Sequence, residues 1–312
     1  MTPHNPQLLA ADRIEITVLV DNYIDIFVPS QKSVDSRPPF ALDRPLLAEH
    51  GFSCYIRIFS NGKEHDTLLD TGLSCGCMLH NAGQLGINLA KTESIVLSHG
   101  HFDHTGGLSS FLQTTGHQIP IVVHPDAFLS RRLQSKGKDL VKLPKLDPIV
   151  MKQHGGDVIE RSDPSVLASG HLLVTGEIER TVSFEQGFPG MEAHVGDEWI
   201  PDRISDDQAV VINIKGKGLV VISGCAHAGI INTIRYAQKI TGIDAILGVL
   251  GGFHLTGPLF EPVIEPTIKA MKQINPVYIV PMHCTGWDAI NRFFSAFPDA
   301  CILNTVGTTY RF

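Results

Sequence analysis

The run Leu97-Ser98-His99-Gly100-His101-Phe102-Asp103-His104-Thr105-Gly106-Gly107-Leu108 constrains this chain more than any other segment. It places three imidazoles and one carboxylate within six residues, directly after the apolar run Ser94-Ile95-Val96-Leu97. Mixed nitrogen and oxygen donors at this density are the ligand set of borderline-soft divalent metals such as zinc. A short buried strand that ends in a ligand-bearing loop is a rigid mount for an ion. The fold must therefore deliver this loop from a sheet edge into a cleft. Alternating residues of an extended loop can point to one side, which pairs His99 with His101. Asp103 and His104 fall at the start of a helix predicted to run over residues 105–113, and so approach from another direction.

The 312 residues are 43% hydrophobic and 18% charged, an ordinary globular composition with room for one large layered domain. The formal net charge of -7 and the lack of a basic run argue against nucleic acid as a partner, because phosphate contacts need clustered Lys and Arg. Residues 1–12 carry neither a basic n-region nor a long apolar h-region, so no signal peptide is expected. No stretch approaches the roughly 20 apolar residues of a membrane span. Six cysteines, Cys54, Cys75, Cys77, Cys225, Cys284 and Cys301, are too scattered for a disulfide scaffold in a chain of this length. Cys75-Gly76-Cys77 is too closely spaced to be a zinc ribbon without a second pair. A cytoplasmic, reducing location is the expectation. Oligomeric state is not legible.

Period-2 alternation and apolar runs predict strands over 13–20, 52–59 and 67–69, with Asn61-Gly62 as a hairpin turn between the last two. A helix follows from Met78, Leu79, Ala82 and Leu85, closed by Gly86. Further strands are predicted over 94–97, 120–123, 172–174, 209–214, 219–222, 245–250, 277–280 and 301–303, with helices over 262–274 and 287–297. Residues 128–170 are weakly periodic and Lys-rich in their first half, and read as a cap or insertion within a single domain spanning 1–312. Two β-rich halves, each followed by helices, suggest two sheets packed face to face with helices outside.

The His-x-His-x-Asp-His pattern of residues 99–104 resembles the metallo-β-lactamase superfamily. The resemblance implies a four-layered αβ/βα sandwich with a cap-like insertion. It also implies two divalent metal ions, zinc first, with manganese, magnesium or iron as alternatives. His99 and His101 would bind one metal; Asp103 and His104 would bind the second. Asp70, in Leu68-Leu69-Asp70-Thr71-Gly72, would support the histidine loop without touching metal. By its residue context alone, Asp70 could equally be a turn or helix-cap aspartate.

Two later segments place imidazoles after apolar strands. Gly224-Cys225-Ala226-His227 and His283-Cys284-Thr285-Gly286 supply His227 and His283 as the remaining metal ligands. The common pattern has an aspartate, often as Gly-Asp, where Cys225 stands, and a histidine before that strand, where this chain has Ser205-Asp206-Asp207-Gln208. Cys225 and Asp207 are therefore candidates at the margin of the site. That departure, with Val20-Asp21-Asn22, Glu49-His50-Gly51-Phe52-Ser53, Thr175-Gly176-Glu177 and Gly251-Gly252-Phe253-His254-Leu255, resembles one branch of the superfamily. Its members are described as metal-dependent hydrolases related to a dihydropterin-ribofuranosylaminobenzene phosphate synthase. His254 is expected to face the substrate, and His50 is a weaker candidate. Lys136, Lys138, Lys142, Lys145, Arg131 and Arg132 are expected to be a solvated face, with the alternative that one or two reach an anionic phosphate.

The activity implied is hydrolysis of an ester or phosphoester-type small molecule by a metal-activated hydroxide, with Asp103 and His254 as catalytic residues. A pterin-pyrophosphate-dependent transferase is the alternative, and an iron-binding redox or sensor protein on the same fold a further one. The substrate would be a small molecule, phosphorylated or pterin-like in the second case.

Overall fold

The strand Arg13–Val20 shows how the fold begins. Its alternate residues Ile14, Ile16 and Val18 enter the core between two sheets, while Leu19 turns outward against helices. The computed structural model describes residues 6–39, 41–74, 76–134 and 139–312. Cys75, Lys136 and Lys138 lie outside the described residues.

One eight-stranded sheet has the order Gly156–Glu160, Ile119–Val123, Ser94–Val96, Lys63–Leu69, Ser53–Ser60, Arg13–Val20, Thr309–Arg311 and Asp35–Ser36. The other, seven-stranded, runs Ser165–Leu167, Leu172–Val174, Ala209–Ile214, Gly218–Ser223, Ile246–Gly252 and Tyr278–Met282, with Ala10–Ala11 pairing on Ala209–Ile214. The sheets face each other through Ile14, Ile56, Val96 and Val122 on one side and Val210, Ile212, Val220 and Ile222 on the other. Each such side chain contributes about 1.5–3 kcal/mol when fully buried.

The opposite faces carry the helices. Met78 and Ala82 of Cys77–Gln84 and Phe111 and Leu112 of Leu108–Thr115 cover Leu68, Ile95 and Ile121. Ile230–Thr241, Glu261–Ile274 and Trp287–Ala296 cover Val211, Val221, Val249 and Ile279 through Ile231, Ile234, Ile268 and Phe293. The result is the four-layered αβ/βα sandwich that the motif implied, with a small antiparallel sheet beside it.

Three local expectations change. The helix expected over 105–113 is two pieces, Phe102–Thr105 and Leu108–Thr115. They are joined by Gly106 and Gly107, where a Cβ would collide with the backbone carbonyls of Leu73 and Thr71. The close approach of that loop sets the break. The strand expected over 301–303 is a single bridge from Cys301 to Ile279, and the last true strand is Thr309–Arg311, which returns to the first sheet beside Arg13–Val20. The stretch 128–170 divides. Arg131–Leu133 and Val141–Lys142 enter the small sheet with Met191–Val195 and Glu198–Pro201, whereas Gly156–Glu160 and Ser165–Leu167 are edge strands of the two large sheets. Among the described residues no helix is long and apolar enough to cross a membrane.

Candidate metal centre

Strands Lys63–Leu69 and Ser94–Val96 are parallel neighbours, as are Gly218–Ser223, Ile246–Gly252 and Tyr278–Met282. The carboxyl ends of all five meet at one place, and the residues after them carry the polar groups. In α/β sheets this is where ligands bind. Four non-glycine residues there have a left-handed backbone: Asp70 (φ 56), Ala226 (φ 52), His254 (φ 45) and His283 (φ 51). Such conformations cost about 1–3 kcal/mol each and gather at functional sites.

Asp70 anchors the histidine loop. Its Oδ1 accepts the Ser98 amide at 2.7 Å, and its Oδ2 accepts the Ser98 hydroxyl at 2.6 Å and His104 Nδ1–H at 2.7 Å. Because Ser98 donates to Asp70, its oxygen accepts His99 Nδ1–H at 2.9 Å. His283 Nδ1–H donates to Asn22 Oδ1 at 3.1 Å. This network assigns one tautomer to His99, His104 and His283, with the Nε2 lone pair of each turned into the cleft. Asp70 and Asn22 thus orient the imidazoles from behind.

The cleft-facing donors stand close together. His99 Nε2 is 3.0 Å from His101 Nδ1. Asp103 Oδ2 is 3.3 Å from His283 Nε2 and 3.7 Å from His104 Nε2. Nitrogen and oxygen donors arranged tetrahedrally about one zinc stand about 3.3 Å apart. The His227 ring packs edge-on to both His99 and His101, with centroids 4.8 Å away in each case. Both His227 nitrogens, His101 Nε2 and His283 Nε2 are buried without a hydrogen-bond partner. Buried polar atoms of this kind are costly unless something binds them. Three donor sets, Asp103–His104–Cys225–His283, His99–Cys225–His227 and Cys225–His254–Cys284, each have their atoms within 4.8 Å of one another. This buried His/Asp/Cys cluster has the chemistry of a metal-binding site.

Burial pushes His99 and His227 well below the usual imidazole range, and His101 down to about 3, with Arg131 adding to the effect. All three are neutral at pH 7, as metal ligands must be. Burial also pulls His104 down, but the Asp103 and Asp70 carboxylates outweigh it and lift the group to about 9. Burial opposes ionisation of Asp103, yet the neighbouring His104, His283 and His50 imidazoles hold its carboxyl far below the ordinary range. His50 is exposed at the rim, with Nε2 3.4 Å from Asp103 Oδ2, and that hydrogen bond raises its pKa. His254 is half-buried on the opposite side, its ring 4.3 Å from His227, 4.7 Å from Phe260 and 5.1 Å from Phe188. The cleft beside His227 is walled by Phe253, His254, Phe260 and Phe184.

Residues 206–208 brace the centre. Asp206 Oδ2 accepts the Gly100 amide at 2.7 Å, Asp207 Oδ2 accepts the Ala228 amide at 2.8 Å, and Gln208 Nε2 donates to the Leu97 carbonyl at 2.8 Å. Burial pushes Asp207 up to about 7. Arg131 is not part of a solvated face. It is buried in ion pairs with Asp206 at 2.5 Å and Asp202 at 2.7 Å, because strand Arg131–Leu133 lies against the brace. Arg132 pairs with Glu192 and lies over Trp199, while Lys142 and Lys145 are exposed. Cys284, Asn22, Ser98 and Asp206 carry no donor spacing that a sequence reading could use; the fold alone brings them here.

With this fold and this cluster on one strand edge, the chain belongs to the metallo-beta-lactamase superfamily, whose profile matches residues 50–173. Within it, the chain is 34% identical over 259 residues to the 7,8-dihydropterin-6-methyl-4-(beta-D-ribofuranosyl)-aminobenzene-5'-phosphate synthase of Methanocaldococcus jannaschii, covering 82% of this chain and 87% of that protein. It is 28% identical over 259 residues to an uncharacterized protein of the same archaeon, covering 80% and 89%. A crystal structure described as a metal-dependent hydrolase of the beta-lactamase superfamily shares the fold at TM-score 0.73 and 24% identity, over 95% of this chain and 98% of that one.

Proposed function

We propose that this protein is a metal-dependent transferase of pterin chemistry. It would join a dihydropterin methyl carbon to a ribofuranosyl-aminobenzene phosphate, with pyrophosphate leaving. The observation that carries the reading is the 34% likeness, over most of both chains, to a protein named as that synthase. The buried donor cluster and the aromatic wall beside it are consistent with a flat, phosphorylated substrate.

In this reading His99, His101 and His227 hold one divalent metal, zinc by donor type, and Asp103, His104 and His283 hold a second. The ions would supply Lewis acidity toward the pyrophosphate oxygens. The chain's own residues do the rest. Asp70 and Asn22 fix the ligand imidazoles, and Asp206 and Asp207 hold the two ligand loops in register. Phe188, Phe260 and His254 form a surface on which a pterin ring can stack. The amine nitrogen attacks the methylene carbon, the carbon–oxygen bond to pyrophosphate breaks, and the nitrogen gives up its proton to His254, whose Nδ1 is buried without a partner.

Hydrolysis would use the same cluster with water as the nucleophile, and one assay separates the two. Metal-loaded protein is given the dihydropterin methyl pyrophosphate with and without the ribofuranosyl-aminobenzene phosphate, and pyrophosphate is measured. Release that needs both compounds supports transfer. Release with water alone makes the protein a hydrolase, and no release in either arm overturns the reading. His227→Ala should also lower the bound metal from two ions toward one.

A further inference from the structure

The sulfur of Cys225 is the one donor atom common to all three donor sets, the third of which adds His254 and Cys284. It lies within reach of Asp103, His104 and His283 on one side and of His99 and His227 on the other. Its distance to His104 Nε2 is 3.1 Å. From this juxtaposition we propose that Cys225 is a bridging thiolate, a single sulfur shared by the two ions of the centre. The proposal rests on the two-metal reading above and adds to it the identity of the shared ligand.

The local backbone is shaped to bring this sulfur inward. Cys225 follows the end of Gly218–Ser223, where Gly224 touches the Asp70–Ser98 bracket so closely that a Cβ would overlap the Ser98 hydroxyl and come within 3.0 Å of Asp70 Oδ2. Ala226 then takes a left-handed conformation, which turns the chain so that Cys225 and His227 both reach the cleft. Behind the sulfur stands Cys284, whose thiol donates to Cys225 Sγ at 3.2 Å and sits 3.7 Å from the Cys225 carbonyl. Gly252 leaves the room for that contact: a Cβ there would lie 2.6 Å from Cys284 Sγ. Cys225 and Cys284 are both buried, at 3% and 5% exposure, so neither thiol is a surface group awaiting solvent.

A carboxylate bridge and a thiolate bridge differ in what they select. A thiolate is soft, and its presence between the ions favours zinc, iron or cobalt over magnesium and manganese, which prefer oxygen. Cys284 is a positioning residue in this arrangement. Its sulfur, 3.2 Å from Cys225 Sγ, holds the bridging sulfur in place.

X-ray absorption at the zinc edge of the zinc-loaded wild type and of the zinc-loaded Cys284→Ala variant tests this, the variant removing Cys284 as a second sulfur ligand. With two zincs bound, a bridging sulfur is seen by both ions, so the expected result is about one sulfur per zinc at about 2.3 Å. About half a sulfur per zinc would mean a terminal thiolate and overturn the bridge, and so would none. A single bound zinc, or none, would instead bring down the two-metal reading itself. Cobalt loading gives a second readout. Wild type and Cys284→Ala should both show a thiolate-to-cobalt charge-transfer band, and Cys225→Asp should lose it while keeping two cobalt ions. Loss of the band in Cys284→Ala with its retention in Cys225→Asp would assign the ligand to the wrong cysteine.

Discussion

The Asp70 carboxylate accepts Nδ1–H of His104 at 2.7 Å, and both side chains are fully buried. The bond decides which nitrogen of His104 faces the cleft. The same carboxylate also holds Ser98, and through Ser98 it orients His99. One acid therefore sets two imidazoles, one from each proposed ligand set. Asp70→Asn keeps the shape but offers an amide where two donors expect an acceptor. Metal affinity should fall about 10–100-fold, as for other residues that orient ligands. Competition with a chromophoric chelator measures it. An unchanged affinity would show that Asp70 only closes its turn.

Arg131 makes a different kind of connection. Its guanidinium pairs with Asp202 and Asp206, and Asp206 in turn holds the Gly100 amide between His99 and His101. Arg131→Leu strands two carboxylates in a buried place. Breaking a buried pair in this way costs about 3–5 kcal/mol. Urea denaturation should show a loss of that size, larger than for Arg132→Leu, whose partner Glu192 is partly exposed.

Gly106→Ala tests the break in the loop helix. The added Cβ would meet the Leu73 carbonyl and lie 2.9 Å from the Phe102 carbonyl. Relieving that overlap must shift Asp103 and His104, which lie three and two residues before it. The expected outcome is a loss of about 1–3 kcal/mol from overpacking, together with weaker metal binding. Gly116→Ala, where nothing lies near the new Cβ but φ is 66, serves as the strain control without displacement of the loop.

The site is legible in sequence to the extent that its donors are adjacent. His99, His101, Asp103 and His104 share one loop, and apolar runs announce the strands that deliver it and His227 and His283. The layered fold is legible for the same reason, since the mostly apolar runs in segments such as 13–20 and 209–214 report burial on both faces. What stays hidden is whatever joins distant segments. Arg131 meets Asp206 across 75 residues, and Asp206 meets Gly100 across 106. Nothing in the local pattern of Lys and Arg after residue 128 separates a buried brace from a solvated face. The terminal strand Thr309–Arg311 is too short to carry a period, so the apolar residues at 301–303 take its place in a sequence reading. Cys284 looks like packing until the fold sets it against Cys225.

Glu185 gives a pH-dependent prediction away from the metal. Its two carboxylate oxygens accept the Ile231 and Asn232 amides at 2.8 Å, capping the start of helix Ile230–Thr241. Burial raises the group from 4.5 to about 7, with those two hydrogen bonds opposing the shift only in part. The sign follows from linkage. Below about pH 4.5 the acid is protonated in folded and unfolded chains alike, and no penalty is felt. Between about 4.5 and 7 the folded state holds the proton that the unfolded chain releases, so stability declines as pH rises; above 7 the full penalty remains. Glu185→Gln removes this titration while keeping one acceptor for the helix amides. Relative to wild type the variant should therefore gain stability between about pH 4.5 and about pH 8, by about 3 kcal/mol. Urea denaturation of both proteins in metal-free form, at the two pH values, reads the difference directly. Parallel pH dependence in the two proteins would mean that Glu185 titrates like an exposed acid and that helix capping compensates its burial.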